Sequence, residues 1–146
     1  MPMFHANIKS KFNLADEIVL YPGLVEELLP TIPNESIQLV ITSPPYNIGK
    51  EYETRVGLDQ YLEQQKIIIM GLYRVLKSTG SICWQVGNYV EDGEVFPLDI
   101  YFYPIFKKLG MHLRNRIVWH FGHGLHASKR LSGRYETLLW LTKGEQ

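Results

Sequence analysis

The sequence predicts an α/β fold in which a mostly parallel sheet ends in an antiparallel pair of strands at one edge. Apolar runs bounded by turn residues alternate with stretches of helical spacing, and that alternation is typical of βαβ units. The last two apolar runs have no helical stretch between them, which favours antiparallel pairing. A length of 146 residues with 45% hydrophobic content suits one domain, 1–146, with its own core.

The N-terminal elements are two strands and two helices. Residues 17–21 form a short apolar run that predicts a strand, and residues 24–29 predict a short helix ended by a proline. The continuous apolar run 37–42 predicts a strand buried on both faces. Residues 59–77 place apolar side chains at helical spacing, and Gly80 is predicted to stop that helix.

The C-terminal elements continue the pattern. Residues 81–86 predict the next strand, and residues 98–109 predict a helix that a proline opens and a glycine ends. Residues 116–119 and 137–142 predict the two strands of the antiparallel pair. Because they lie in strands, Trp84, Trp119 and Trp140 are predicted to be core residues, and Cys83 a small core residue.

The composition excludes several classes of protein. No apolar run approaches the ~20 residues of a membrane span. The first residues lack the apolar segment of a signal peptide, and a single cysteine excludes both a disulfide and a cysteine-rich zinc site. We therefore expect a cytoplasmic protein that does not bind membranes.

A net charge of zero conceals an asymmetry along the chain. Residues 1–106 carry 7 Lys and Arg against 13 Asp and Glu, whereas residues 107–146 carry 8 against 2. A basic segment beside an acidic one indicates either a polyanionic partner or an ordinary solvated face.

The segment 42–47, Thr-Ser-Pro-Pro-Tyr-Asn, follows the most hydrophobic strand, where α/β sheets bind ligands. Two prolines stiffen the turn and remove two backbone donors, so carbonyl oxygens are left to accept hydrogen bonds. Ser43 Oγ and the Pro44 carbonyl are suited to grip an exocyclic amine, and Tyr46 offers a stacking face worth roughly 1–3 kcal/mol per base. Without this context, Pro-Pro-Tyr is more often a stiff loop or a proline motif for a protein partner.

Residues 42–47 resemble the catalytic motif of the DNA methyltransferases that modify N6 of adenine or N4 of cytosine. The segments LYRVLKSTGSICWQVGN, LRNRIVWHFGHG and SGRYETLLWLTK resemble the parts of that family that follow the motif. The resemblance implies a Rossmann-like methyltransferase fold, S-adenosylmethionine as cofactor, and double-stranded DNA with a flipped base as substrate. It also implies a restriction-modification role in a prokaryote, and the serine of the motif favours cytosine N4. The catalytic residues it implies are Ser43, Pro44, Pro45 and Tyr46.

Cofactor binding is where the chain departs from the family. The resemblance implies Gly23, Thr42 and Asn47 as cofactor contacts, with Asn47 also bracing the turn. Leu24 stands where the family has an acidic residue, and the glycines of 121–124 have the wrong spacing for the family's cofactor loop. The order of motifs matches the permuted beta type, in which that loop comes late. We therefore expect the catalytic half of a longer enzyme, inactive alone, with a complementary chain or a homodimer supplying the rest.

The basic residues near both loops are candidates for phosphate contacts, with a plain surface role as the alternative. They are Lys50, His123, His126, Lys129, Arg130 and Arg134. The spacing of His120, His123 and His126 invites a metal site, but no nearby Cys, Asp or Glu completes a ligand set, so no metal is predicted. Tyr135 and Glu136 either face the target base or lie at a strand edge.

Two rival functions stay open. The first is methylation of protein glutamine or RNA by a related Asn-Pro-Pro-Tyr turn, against which the serine and the permuted order count. The second is a non-catalytic DNA-binding remnant or subunit, whose binding would depend steeply on salt.

Overall fold

The computed structural model describes residues 8–49, 51, 54–122, 128 and 130–144. The helices are α1 (Val25–Leu28), continued by a 3-10 turn (Leu29–Thr31), α2 (Leu58–Val75) and α3 (Leu98–Lys108). The strands are β1 (Ile8–Lys9), β2 (Ile18–Val19), β3 (Ile37–Thr42), β4 (Leu76–Val86), β5 (Asn88–Glu91), β6 (Glu94–Pro97), β7 (His112–His120) and β8 (Tyr135–Thr142).

The main sheet has four strands in the order β3-β4-β8-β7. β3 and β4 are parallel, with α2 as the connection between them. β7 and β8 form the predicted antiparallel edge pair, and β8 is also antiparallel to β4. The α/β class is confirmed, and the described sheet is mixed rather than mostly parallel.

The core lies between one face of this sheet and the helices α2 and α3. Ile82, Trp84 and Val86 alternate along β4 and are buried on that face, as the two-residue period of a strand requires. Trp84 packs edge-on against Phe102 and Phe106 of α3, with ring centroids 5.6 Å apart in both pairs. The predicted core position of Trp84 is confirmed.

Several large apolar side chains on the opposite face of the sheet are exposed in the described chain. Leu39 and Ile41 of β3 are 51% and 71% exposed, so the prediction that this strand is buried on both faces is wrong for the described chain. Trp119 and Trp140, at 59% and 38% exposure, share this open face, and their predicted core positions are wrong for the same reason. The sequence of a strand gives the hydrophobicity of its side chains. Whether those side chains are buried depends on which other elements pack against the strand. Cys83 is partly buried there, and this burial raises the pKa of its thiol.

The end of α2 differs most from its predicted position. The helix ends at Val75, and the chain enters β4 at Leu76, so Gly80 lies inside the strand and does not stop the helix. A Cβ on Gly80 would lie 2.7 Å from Leu76 Cγ. Glycine at this position therefore serves close packing.

Two smaller sheets were assigned incompletely from sequence. The strand predicted at 17–21 is only Ile18–Val19, and it pairs with Ile8–Lys9 outside the main sheet. The β5–β6 hairpin was not predicted, although Asp92-Gly93, both with positive φ, is a strong signal for a hairpin turn. None of the described helices has the length and apolar content needed to cross a membrane.

Candidate active site

The proline turn begins where β3 ends. Thr42, the last residue of β3, pairs with Trp84 of β4, so the turn is anchored to the centre of the core. Pro44 is buried and Ser43 is exposed. The anchoring leaves the serine hydroxyl at the surface of the sheet's end.

A chain of hydrogen bonds links the turn to two other strands. Ser43 Oγ lies 2.7 Å from the Tyr46 hydroxyl, which donates to Glu136 Oε2 at 3.0 Å. The same carboxylate oxygen accepts from Gln85 Nε2 at 2.7 Å. Glu136 lies in β8 and Gln85 in β4, so the network ties the turn to both strands. The position of the Tyr46 ring is therefore set by groups distant in sequence.

Gly87 permits the Tyr46 ring to lie where it does. A Cβ at this position would be 3.2 Å from both Cδ2 and Cε2 of the ring, closer than most real Cβ contacts. Burial, with a smaller contribution from Glu136, raises the pKa of Tyr46 from 10.0 to about 12, while its bond with Ser43 lowers it. Tyr46 therefore keeps its proton at neutral pH.

Asn47 closes the loop that follows the turn. Its side chain donates to the Val56 carbonyl at 2.6 Å and accepts from the Val56 amide at 2.8 Å. The residue is only 3% exposed and has φ of 58°, a left-handed conformation that asparagine tolerates better than most residues. The predicted bracing role of Asn47 matches this geometry.

The two proline carbonyls have different environments. The Pro45 carbonyl accepts a hydrogen bond from the Tyr61 hydroxyl at 2.6 Å, so it is not the free acceptor that two prolines suggested. No described residue donates to the Pro44 carbonyl. Of the two, the Pro44 carbonyl is the one left to accept from a ligand.

The turn separates two cavities. One, of about 340 Å³, is lined by Thr42, Ser43 and Pro44 together with apolar residues of β3 and α2. The other, of about 230 Å³, is lined by Tyr46, Gly87 and Glu136 together with residues of the β5–β6 hairpin and of the loop before β8. A group in either cavity reaches the hydrogen-bonded turn.

The larger cavity matches only part of S-adenosylmethionine. Gln65 Oε1 and Trp84 Nε1 belong to its lining residues, and both are buried without a hydrogen-bond partner in the described chain. They supply one acceptor and one donor among apolar walls. No residue in the described lining is charged, so the charged amino-acid end of the cofactor finds no counter-ion there.

The smaller cavity is lined by aromatic rings and a few polar groups. Its aromatic walls include Tyr46, Phe121 and Tyr135, and its polar groups include Asn88 and Glu136. Flat aromatic walls with a few fixed polar groups favour binding of an unstacked base.

The structure brings together some of the predicted residues. Ser43, Pro44, Pro45 and Thr42 line one cavity, whereas Tyr46 and Arg130 line the other. Gly23 lines neither of these two cavities, and a Cβ there would lie 2.5 Å from Tyr21 Cε1. Arg134 is exposed, and its carbonyl accepts from the Phe121 amide at 3.0 Å. Four predicted contacts lie outside the described residues: Lys50, His123, His126 and Lys129.

The sequence analysis did not identify Gln85 or Gly87 as site residues. For Glu136 it left two alternatives open, facing the target base or lying at a strand edge. Gln85 is a polar residue inside an apolar strand, and Gly87 follows that strand directly. Both features are typical of a site at the end of a strand, but neither indicates which tyrosine lies beside these residues. In the described residues, no group of three or more His, Cys, Asp or Glu is arranged to hold a metal ion.

Comparison with known proteins places the chain in a family. Residues 37–146 match the profile described as DNA methylase. The type II methyltransferase M.BglII of Bacillus subtilis is 55% identical over 125 residues, which are 85% of this chain and 35% of that protein. The chain therefore spans about a third of the length of this relative.

Solved structures share the fold. The PvuII DNA methyltransferase (cytosine-N4-specific) matches with a TM-score of 0.71 and 23% identity, over 84% of this chain and 48% of that one. A putative DNA modification methylase of Thermus thermophilus, TTHA0409, solved with S-adenosylmethionine, matches with a TM-score of 0.69 and 26% identity, over 85% and 52%. The fold of these methyltransferases is thus the fold of this chain, over about half of their length.

Proposed function

The chain belongs to the DNA methylase family of N4/N6 amino-methyltransferases, and on that premise we propose that it forms the base-binding part of a site-specific DNA methyltransferase of a restriction-modification system. The substrate is the exocyclic amine of a base rotated out of double-stranded DNA. S-adenosylmethionine supplies the methyl group. The similarity to M.BglII supports this proposal.

One observation carries the proposal: a hydrogen-bonded turn between two cavities of different character. The smaller cavity, with aromatic walls, receives the base, and Tyr46 stacks on it. The larger cavity lies on the Ser43 and Pro44 side and receives the uncharged part of the cofactor. The reacting amine then lies at the turn, where the two cavities approach each other.

Ser43 Oγ and the Pro44 carbonyl accept hydrogen bonds from the two amine hydrogens. These bonds draw the nitrogen lone pair out of conjugation with the ring and make it available for the methyl group. The nitrogen–carbon bond forms as the sulfur–carbon bond breaks, and the amine releases one proton to solvent or through Ser43. We favour cytosine N4 over adenine N6, since serine at the first position of the motif is commoner in the cytosine enzymes.

The contacts with the charged end of the cofactor and with the DNA phosphates come from a second chain or from the basic loops of this chain. Because no residue in the described lining of the larger cavity is charged, we propose that a complementary chain, or failing that a second copy, contacts the charged end of the cofactor. Gly23, Thr42 and Asn47 stay proposals as cofactor contacts. Lys50, His123, His126, Lys129, Arg130 and Arg134 stay proposals as phosphate contacts.

Reconstitution tests this function directly. The chain is co-expressed with the part of M.BglII that it does not match, and transfer of a labelled methyl group to DNA is measured. Digestion to nucleosides then identifies N4-methylcytosine or N6-methyladenine. We expect labelled N4-methylcytosine, and a loss on the order of 100-fold in rate for Ser43→Ala, since one preorganised hydrogen bond is removed.

The matched control is Ser10→Ala, which changes an exposed serine outside both cavities. Its rate should equal that of the unaltered chain. A folded, salt-sensitive DNA complex that never transfers the methyl group would instead favour a non-catalytic binding subunit.

A further inference from the structure

The hydrogen-bond network at the turn has only one consistent arrangement of its protons. A carboxylate accepts hydrogen bonds and cannot donate, so the single proton of the Tyr46 hydroxyl goes to Glu136 Oε2. Either hydroxyl could donate in the 2.7 Å contact between Ser43 and Tyr46. Because the Tyr46 proton is already committed, the Ser43 hydroxyl must donate to the Tyr46 oxygen.

In this arrangement, Ser43 Oγ presents only lone pairs, and no proton, on its exposed side. A hydroxyl normally offers both a donor and two acceptor positions and therefore binds an amine or a carbonyl equally well. With its proton held by Tyr46, Ser43 Oγ binds donors and repels acceptors. An amine is a donor, whereas the carbonyl at the same position of uracil or hypoxanthine is an acceptor.

Glu136 is itself held in place. Gln85 Nε2 donates to the same carboxylate oxygen at 2.7 Å, which orients the acceptor towards Tyr46. Glu136 pairs with Trp119 in the ladder of β7 and β8, so its backbone is fixed as well. The direction of every bond from Gln85 to Ser43 thus depends on one carboxylate.

We propose that Glu136 is a positioning residue that makes Ser43 a pure hydrogen-bond acceptor and so selects bases with an amine over bases with a carbonyl at that position. The inference rests on the proposed function, since it requires a base in the cavity beside Tyr46. It adds a specificity-determining residue outside the proline turn.

Binding of single-stranded oligonucleotides to the full chain tests the proposal, because an unpaired base needs no flipping. Each oligonucleotide carries one base among abasic positions, and two pairs are compared: cytosine with uracil, and adenine with hypoxanthine. Phosphate contacts are the same within a pair, so the ratio of the two dissociation constants reports the amine alone. We expect the unaltered chain to prefer the amine of one pair by about tenfold, the value of a buried hydrogen bond with its desolvation penalty.

Glu136→Ala should reduce this ratio to about twofold. Without the carboxylate, the Tyr46 hydroxyl is free to donate to Ser43, and Ser43 is then free to donate outward. Glu91→Ala is the matched control, since Glu91 accepts from another tyrosine hydroxyl, that of Tyr89, at 2.8 Å. It should leave the ratio unchanged. Tyr46→Phe is the second variant, in case Glu136→Ala does not fold, and it should also reduce the ratio because the Ser43 proton loses its acceptor.

The two possible failures are distinct. A tenfold preference that persists in folded Glu136→Ala or Tyr46→Phe overturns the role of Glu136 and leaves the proposed function standing. A ratio near one in the unaltered chain for both pairs overturns the amine selection. If, in addition, no base binds more tightly than a wholly abasic oligonucleotide, there is no base pocket, and the proposed function fails as well.

Discussion

The Tyr46 hydroxyl and the Glu136 carboxylate lie 3.0 Å apart, although 90 positions separate the two residues in the chain. The contact exists because β8 lies next to β4 in the sheet, while the turn follows β3 on the other side of β4. Three strands therefore contribute one hydrogen-bonded group each to a single site.

The isolated chain should bind S-adenosylmethionine weakly or not at all. The described cavity beside Ser43 has no charged lining residue, and Leu24 stands where the family has an acidic one. Calorimetric titration of the chain with the cofactor measures this directly. Micromolar affinity would show that the cofactor contacts are already complete.

Gly87→Ala should displace the Tyr46 ring and destabilise the chain by about 1 kcal/mol, at the lower end of overpacking costs because the ring is only partly buried. The new methyl group would lie 3.2 Å from two ring atoms. Urea unfolding gives the free energy change. Gly122→Ala is the control, since a Cβ there meets no described atom within 4 Å; equal effects of the two substitutions would contradict the close approach.

Stability should fall as pH rises from about 10 to about 12. The pKa of Tyr46 is about 12 in the folded chain against 10.0 for the ordinary side chain, so the folded state holds the proton more tightly. Between these values the folded state binds more protons than the unfolded state, and the free energy of unfolding decreases with pH. Tyrosinate absorbance should show a hydroxyl that ionises near pH 12, and Tyr46→Phe should remove it. An unchanged titration curve in that variant would contradict the assignment.

Asn47→Ala should cost about 2–4 kcal/mol, because both the amide and the carbonyl of Val56 lose their partner. The left-handed backbone also suits alanine less well than asparagine. Asn13→Ala is the comparison: Asn13 Oδ1 accepts from the Ala15 amide at 3.0 Å in an exposed turn. That substitution should cost no more than about 1 kcal/mol, and chemical unfolding of both variants decides whether the Asn47 contacts are the stronger ones.

Ile41→Ala and Ile82→Ala should differ widely in their effect. Ile41 is 71% exposed on the open face, whereas Ile82 is fully buried on the neighbouring strand. We expect about 0.5 kcal/mol for the first and about 2–5 kcal/mol for the second in unfolding measurements. A large cost for Ile41→Ala would mean that another molecule covers this face in solution, which size-exclusion chromatography of the same samples would detect.

Local patterns in the sequence were sufficient to predict most elements of the main sheet. The 37–42 strand, the 98–109 helix and the last two strands were found to within a few residues, because strand and helix periods are properties of short segments. The end of α2 was misplaced because Gly80 has the residue type of a helix stop but occupies a strand. The burial of Trp119 and Trp140 was also mispredicted, since burial depends on what packs against a strand and not on the strand's own sequence.

The candidate site likewise has one part that the sequence predicts and another that only the tertiary structure determines. The motif by itself determined that Ser43, Pro44 and Tyr46 form a stiff, acceptor-rich turn, because proline geometry and side-chain chemistry are local. Only the tertiary structure decided that the Tyr61 hydroxyl donates to the Pro45 carbonyl and that Glu136 accepts from the Tyr46 hydroxyl. Such contacts depend on strand order and register, which bring distant residues within hydrogen-bond distance and which no local pattern specifies.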